Sequence, residues 1–140
     1  MESHKQLTNA RFLIVEDDEN NRLVTIKLLQ VEGVSPTHIY SCEEDPLPYL
    51  ESLLPQLIDL ILLDLQLPGK DGFTILQELH AHPTFAHIPI VALTANVMQD
   101  DVRRAQEVGF HSFLGKPINA TLFSSRIQQI LHGEPVWAPT

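Results

Sequence analysis

Apolar residues in this chain gather in short unbroken runs, set apart by longer stretches of mixed polarity. The run Arg11-Phe-Leu-Ile-Val15 ends in acids and reads as a buried strand. From Asn20 to about Glu32, Leu23, Val24, Ile26, Leu28, Leu29 and Val31 recur at roughly helical spacing, and Gly33 supplies a stop. A second strand is expected over 34–40, with Pro36 weakening it, and a helix over 43–54, with Pro46 and Pro48 in its first turn. The run from Leu57 to Leu63 stops at Asp64 and reads as a central strand buried on both faces. Pro68-Gly69 and Asp71-Gly72 mark a loop. A helix over 73–80 with Phe73, Ile75, Leu76 and Leu79, a strand over 88–93, a helix over 97–108 closed by Gly109, and a strand over 111–115 follow. Asn119 is placed to cap a last helix reaching Leu131, and Gly133 ends it.

Strand and helix therefore alternate five times with short connections. That is the pattern of an α/β doubly wound parallel sheet with helices on both faces. The expected organisation is an N-terminal extension over 1–10, one domain over 11–132, and a tail over 133–140. Trp137, in that tail, is expected to fold back on the domain rather than stand exposed.

Composition narrows the function classes. The chain has 140 residues, 44% hydrophobic and 19% charged, in keeping with a soluble globular domain. Its net charge is −9 and its basic residues are scattered, which argues against nucleic-acid binding. A single cysteine, Cys42, permits no internal disulfide. The N-terminus lacks an apolar signal core, and Asp59 and Asp64 interrupt the longest apolar stretch, so no membrane segment is expected and the cytoplasm is the expected location.

In a doubly wound sheet, ligands bind beyond the carboxyl ends of the strands. There the chain carries Glu16, Asp17 and Asp18 after the first strand and Asp64 at the end of the third. Thr94 and Ala95 follow the fourth, and Lys116 and Pro117 the fifth. Carboxylates brought together repel unless a hard cation joins them, and Mg²⁺ takes oxygen ligands. Asp17 and Asp64 are the expected direct ligands, with the Gln66 backbone carbonyl, and Glu16 reaching the ion through water. Asp18 is expected to be solvated at a helix start. Asp64 is then also placed as a nucleophile toward phosphorus. Lys116, the Thr94 hydroxyl and the Ala95 backbone N–H would bind phosphoryl oxygens.

The pieces 12–18, 62–73, 88–95 and 115–117, in this order and spacing, resemble the receiver domains of two-component response regulators, over about Arg11 to Leu131. The segment 17–24 looks most like receivers attached to hybrid histidine kinases or working in phosphorelays. The resemblance implies a flavodoxin-like, five-stranded sheet of order 2-1-3-4-5. It implies Asp64 as phosphoacceptor, Glu16 and Asp17 as the acid pair, and Thr94 and Phe113 as switch residues. It also implies Lys116 as the family's phosphate-binding lysine and a cis peptide before Pro117. Gln66 and Asn96 fall where the family tunes dephosphorylation. A histidine kinase or histidine phosphotransfer protein would be the donor, and a protein target the receiver of output, with the chain a monomer or weak homodimer. Such a domain catalyses only its own phosphorylation and dephosphorylation.

Each residue also has a plainer reading: Asp64 as a loop cap, Thr94 as an ordinary strand residue, Lys116 as a surface lysine, Phe113 as packing. It is their common register that favours the functional reading. Two other functions fit the same fold. A Mg²⁺-dependent aspartyl-phosphate phosphohydrolase would want an acid where Gln66 stands. A phosphorylation-independent interaction domain would be expected to have lost an acid or the lysine. The seven histidines form no HxxxH or HExxH pair, so zinc is not expected.

Overall fold

The computed structural model describes residues 6–95 and 99–138. Among these, six strands and five α-helices alternate: β1 Phe12–Val15, α1 Glu19–Val31, β2 Ile39–Cys42, α2 Leu47–Leu53, β3 Leu60–Asp64 and α3 Gly72–Ala81, then β4 Ile90–Thr94, α4 Gln99–Val108, β5 Ser112–Gly115, α5 Ala120–Leu131 and β6 Trp137–Ala138. All strand pairs are parallel, in the order β2-β1-β3-β4-β5-β6.

The side-chain alternation of the strands divides the core into two layers. Leu13, Val15, Ile61, Leu63, Ala92 and Phe113 point to one face and pack with Leu50, Ile75, Leu76, Leu79 and Ala105 of α2, α3 and α4. Phe12, Ile14, Leu60, Leu62, Val91, Leu93 and Leu114 point to the other, against Leu29 of α1 and Phe123, Ile127 and Ile130 of α5. The apolar runs read as strands carry no polar face because both faces are covered.

The expected five-stranded sheet is corrected to six. The tail over 133–140, whose Trp137 was expected to fold back on the domain, supplies β6, in which Trp137 and Ala138 pair with Phe113 and Leu114. The N-terminal extension also packs on the domain where it is described: Leu7–Asn9 form a 3-10 turn, Leu7 is buried, and its N–H donates to Gln128 Oε1 at 3.1 Å.

Strand starts also move, most at β2 and β3. Ser35 caps a 3-10 turn at Pro36–His38, accepting the Thr37 N–H, so β2 begins at Ile39 rather than 34. Asp59 accepts the Arg11 N–H on its carboxylate at 2.8 Å, forming a joint below β3, which then begins at Leu60 rather than 57.

Candidate functional site

Register fixes what stands at the carboxyl ends of the central strands. Val15 opposes Leu63, and Asp64 opposes Leu93, so Glu16, Asp64 and Thr94 emerge on adjacent strands at nearly one level. Glu16 extends the β1–β2 ladder by one bond, its N–H donating to the Cys42 carbonyl at 3.0 Å. Its side chain turns inward, leaving the residue 2% exposed, while Asp17 next to it is exposed. Asp18 is exposed and caps α1, accepting the Asn21 N–H at 2.9 Å.

Asp64 is 4% exposed and both its oxygens are engaged. The Gln66 N–H donates to Oδ1 at 2.9 Å, and Lys116 Nζ donates to Oδ2 at 3.1 Å. The same ammonium contacts Glu16 Oε1, so it bridges the two buried carboxylates. Lys116 reaches this point from the end of β5, where its N–H donates to the Thr94 carbonyl at 2.8 Å and the following Lys116–Pro117 peptide is cis. Thr94 is buried, Ala95 is exposed, and the Gln66 side chain stands in solvent. Phe113 is fully buried in the layer under α3 and α4. Asn96 lies outside the described residues.

Glu16, Asp17 and Asp64 each offer a carboxylate oxygen within 4.8 Å of the others. Burial, and then the neighbouring Asp64 carboxyl, push the Glu16 carboxyl up to about 7 against the opposing pull of Lys116. Burial acts to lower the Lys116 ammonium, but Glu16 and Asp64 outweigh it and the net shift is upward. This crowding of hard oxygen donors, offset by one ammonium, is a donor set that fits a divalent cation of the Mg²⁺ type. A cleft of about 240 Å³ adjoins it, lined by Leu65, Gln66, Asp71, Phe73, Thr94, Asp101 and Arg104. A larger cavity, of about 410 Å³, lies at the other end of the sheet among His80, His87 and His111 and is remote from this chemistry.

Several supporting residues were not legible as such. Arg22 donates from Nη1 to the Glu16 carbonyl at 3.0 Å. Lys70 pins the loop after β3, bonding Asp45 at 2.9 Å and Glu78 at 2.7 Å. Arg104 lies 3.9 Å over the Phe73 ring, which meets Phe110 edge-on. Asp71-Gly72 read only as a turn signal. In fact Asp71 caps α3, and a Cβ on Gly72 would come within 2.9 Å of Leu65 Cα.

The fold and this crevice define a doubly wound α/β module with an acidic site at the carboxyl ends of its strands, and comparison with known proteins gives its family. The response regulator receiver domain profile matches residues 12–128, so the chain belongs to the receiver domain family of two-component signalling. The response regulator PleD of Caulobacter vibrioides is 34% identical over 122 residues, which are 87% of this chain but 26% of PleD. The chain thus spans about a quarter of that relative. The polar-differentiation response regulator DivK of Brucella ovis is 31% identical over 119 residues, covering 85% of this chain and 94% of DivK. Among solved structures, the receiver domain of sensor histidine kinase PA1611 from Pseudomonas aeruginosa PAO1 carries a magnesium ion coordinated in its active-site cleft. It matches with a TM-score of 0.72 at 30% identity, covering 89% of this chain and 98% of that one. No helix among the described residues is long and apolar enough to cross a membrane.

Proposed function

We propose that Asp64 accepts a phosphoryl group from a phosphohistidine of a partner histidine kinase or phosphotransfer protein, and that the resulting charge switches a protein-binding surface. The observation that carries this reading is the bridge from Lys116 to Asp64 and Glu16, beside Asp17, at the ends of three strands. An Asp64 oxygen attacks phosphorus, the bond from phosphorus to the imidazole nitrogen breaks, and the imidazole leaves with a proton from solvent. Gln66 holds the carboxylate rotation through its N–H, and Lys116 stands ready to move from carboxylate to phosphoryl oxygen. Asp17, Asp64 and the Gln66 carbonyl would hold Mg²⁺, with Glu16 reaching it through water. When bound, the ion supplies neutralisation of charge on the phosphoryl oxygens.

The donor's approach is favoured beside α1 and α5. Leu23, Val24 and Leu122 are exposed there, at 44%, 53% and 41%. A small pocket lined by Glu16, Asn21, Val24, Thr25, Lys116, Pro117 and Ile118 opens next to the acceptor. Apolar surface around a polar reactive centre suits protein docking. On the other side, Thr94 drawn toward the phosphoryl group would pass the change to α4 and β5. Gln66 is an amide with no acidic proton to transfer to a leaving group, which favours a held signal over phosphatase turnover.

Incubation with acetyl phosphate and Mg²⁺ tests the reading. Label is expected in the native chain and absent with EDTA. Label that persists undiminished in Asp64→Asn sinks the assignment.

A further inference from the structure

β6 lies on the residue from which output would be read. The Phe113 N–H donates to the Val136 carbonyl at 2.8 Å, and the Val136 N–H donates to Ser112 Oγ at 3.0 Å. Ser112 is fully buried, with His111 Nδ1 2.9 Å from its hydroxyl. Trp137 sits opposite Phe113 in the ladder and packs on the same apolar layer, half-buried. Phe113 itself has no exposed surface, so little travel is open to it. On this edge the aromatic with room to move is Trp137.

The hold on the tail is slight beside that on the central strands. The ladder is two residues long, and a five-residue connection over 132–136 leads into it from α5. A segment of that kind opens without the sheet unfolding. It also sits where the site's pull would arrive. Thr94 opposes Gly115 in the β4–β5 register, and the Lys116 N–H donates to the Thr94 carbonyl. Thr94 and Lys116 drawn toward phosphoryl oxygens would therefore act on β5 two residues from the N–H that holds Val136.

Resting on the phosphoacceptor reading, we propose that β6 is a displaceable cover on the β5 edge, held closed in the resting chain and released when Asp64 carries a phosphoryl group. Release uncovers the main-chain edge of β5 and the apolar slot left by Trp137. That surface fits an extended apolar segment of a partner, added as a strand. Linkage requires the reverse effect as well: loosening the cover favours phosphorylation by the same factor.

Trp137 is the chain's single tryptophan, so its emission reports the cover directly. The full chain is treated with Mg²⁺ and beryllium fluoride, or with acetyl phosphate, and Asp64 modification is followed by mass. We expect a red-shifted emission, faster NMR amide exchange at Phe113, and tighter binding of a fluorescein-labelled peptide of sequence 134–140. The range typical of coupled sites is about 5- to 150-fold. Trp137→Ala is expected to raise beryllium fluoride affinity by a similar factor. Asp64 modified with emission, exchange and peptide affinity all unchanged overturns the proposal and leaves the phosphoacceptor reading standing. Peptide binding undetectable in both states with exchange unchanged has the same force. Asp64 unmodified removes both.

Discussion

Gly72 is the first residue of α3, and it lies against the backbone that carries Asp64. A Cβ built on it would stand 2.9 Å from both Leu65 Cα and Leu65 Cδ2, and 3.2 Å from the Asp64 carbonyl oxygen. Carbon atoms pack at about 3.5–4.0 Å, so Gly72→Ala forces an overlap of roughly 0.6–1 Å. Leu65 Cδ2 can rotate away, but Leu65 Cα cannot, and relief must come from shifting the chain at 64–65. Overpacking of this kind costs about 1–3 kcal/mol. Alanine's helix preference, at most about 1 kcal/mol over glycine, offsets part of it. A net loss of about 1–2 kcal/mol in urea unfolding is expected. The same shift moves the carboxylate that Gln66 and Lys116 hold, and a misplacement near 1 Å can cost about 100-fold in rate. Labelling by acetyl phosphate should therefore slow by roughly 10- to 100-fold. Gly69→Ala is the comparison. Nothing lies within 4 Å of its Cβ, but its φ of +79° disfavours any side chain. It should lose about 1–2 kcal/mol while keeping the native labelling rate. If Gly72→Ala is as stable as the native chain and labels as fast, the close approach does not position Asp64.

Other outcomes follow from single contacts. Asp71→Ala removes the acceptor of the Thr74 N–H at 2.9 Å and should cost about 1 kcal/mol by chemical denaturation. That hydrogen bond, first among its causes, holds the Asp71 carboxyl below its ordinary value, so its contribution is present above 3.8 and lost as pH falls through the depressed value; native and variant stabilities should converge there, and a constant gap would contradict this. Burial above all pushes the Cys42 thiol up to about 11, so maleimide should react slowly near neutral pH in the native chain and quickly in urea. Ser112→Ala deprives the Val136 N–H of its acceptor and should cost about 1–3 kcal/mol, with Trp137 emission shifted in the folded protein; unchanged emission would show that the hydroxyl does not hold the tail.

The central strands were legible because they are covered on both faces: Phe12–Val15, Leu60–Leu63 and Ile90–Leu93 carry no polar residue to blur the pattern, and each meets a polar residue where it leaves the core. The same break in polarity exposed Glu16, Asp64 and Thr94. Edge elements were less legible. Residues 34–40 look strand-like, but Ser35 and Pro36 divert them into a 3-10 turn, and only pairing with β1 defines the strand that follows. β6 is invisible to periodicity because two residues have no period; the Phe113 N–H and the Ser112 hydroxyl create it. Within the site, pattern could name the acids but not their exposures. That Glu16 turns inward to Lys116 while Asp17 stays exposed depends on contacts between residues 100 positions apart. Lys70 and Arg104 were missed for a related reason, since their partners Asp45, Glu78 and Phe73 lie on other elements.

In the proposed function Asp64 forms the covalent bond to phosphorus. Intact-mass measurement after acetyl phosphate and Mg²⁺, followed by borohydride reduction and peptide mapping, reads that bond directly. One phosphoryl adduct per chain is expected, mapped to Asp64, absent with EDTA and absent in Asp64→Asn. No adduct, or an adduct mapped to a histidine or to another carboxylate, would rule out Asp64 as the acceptor.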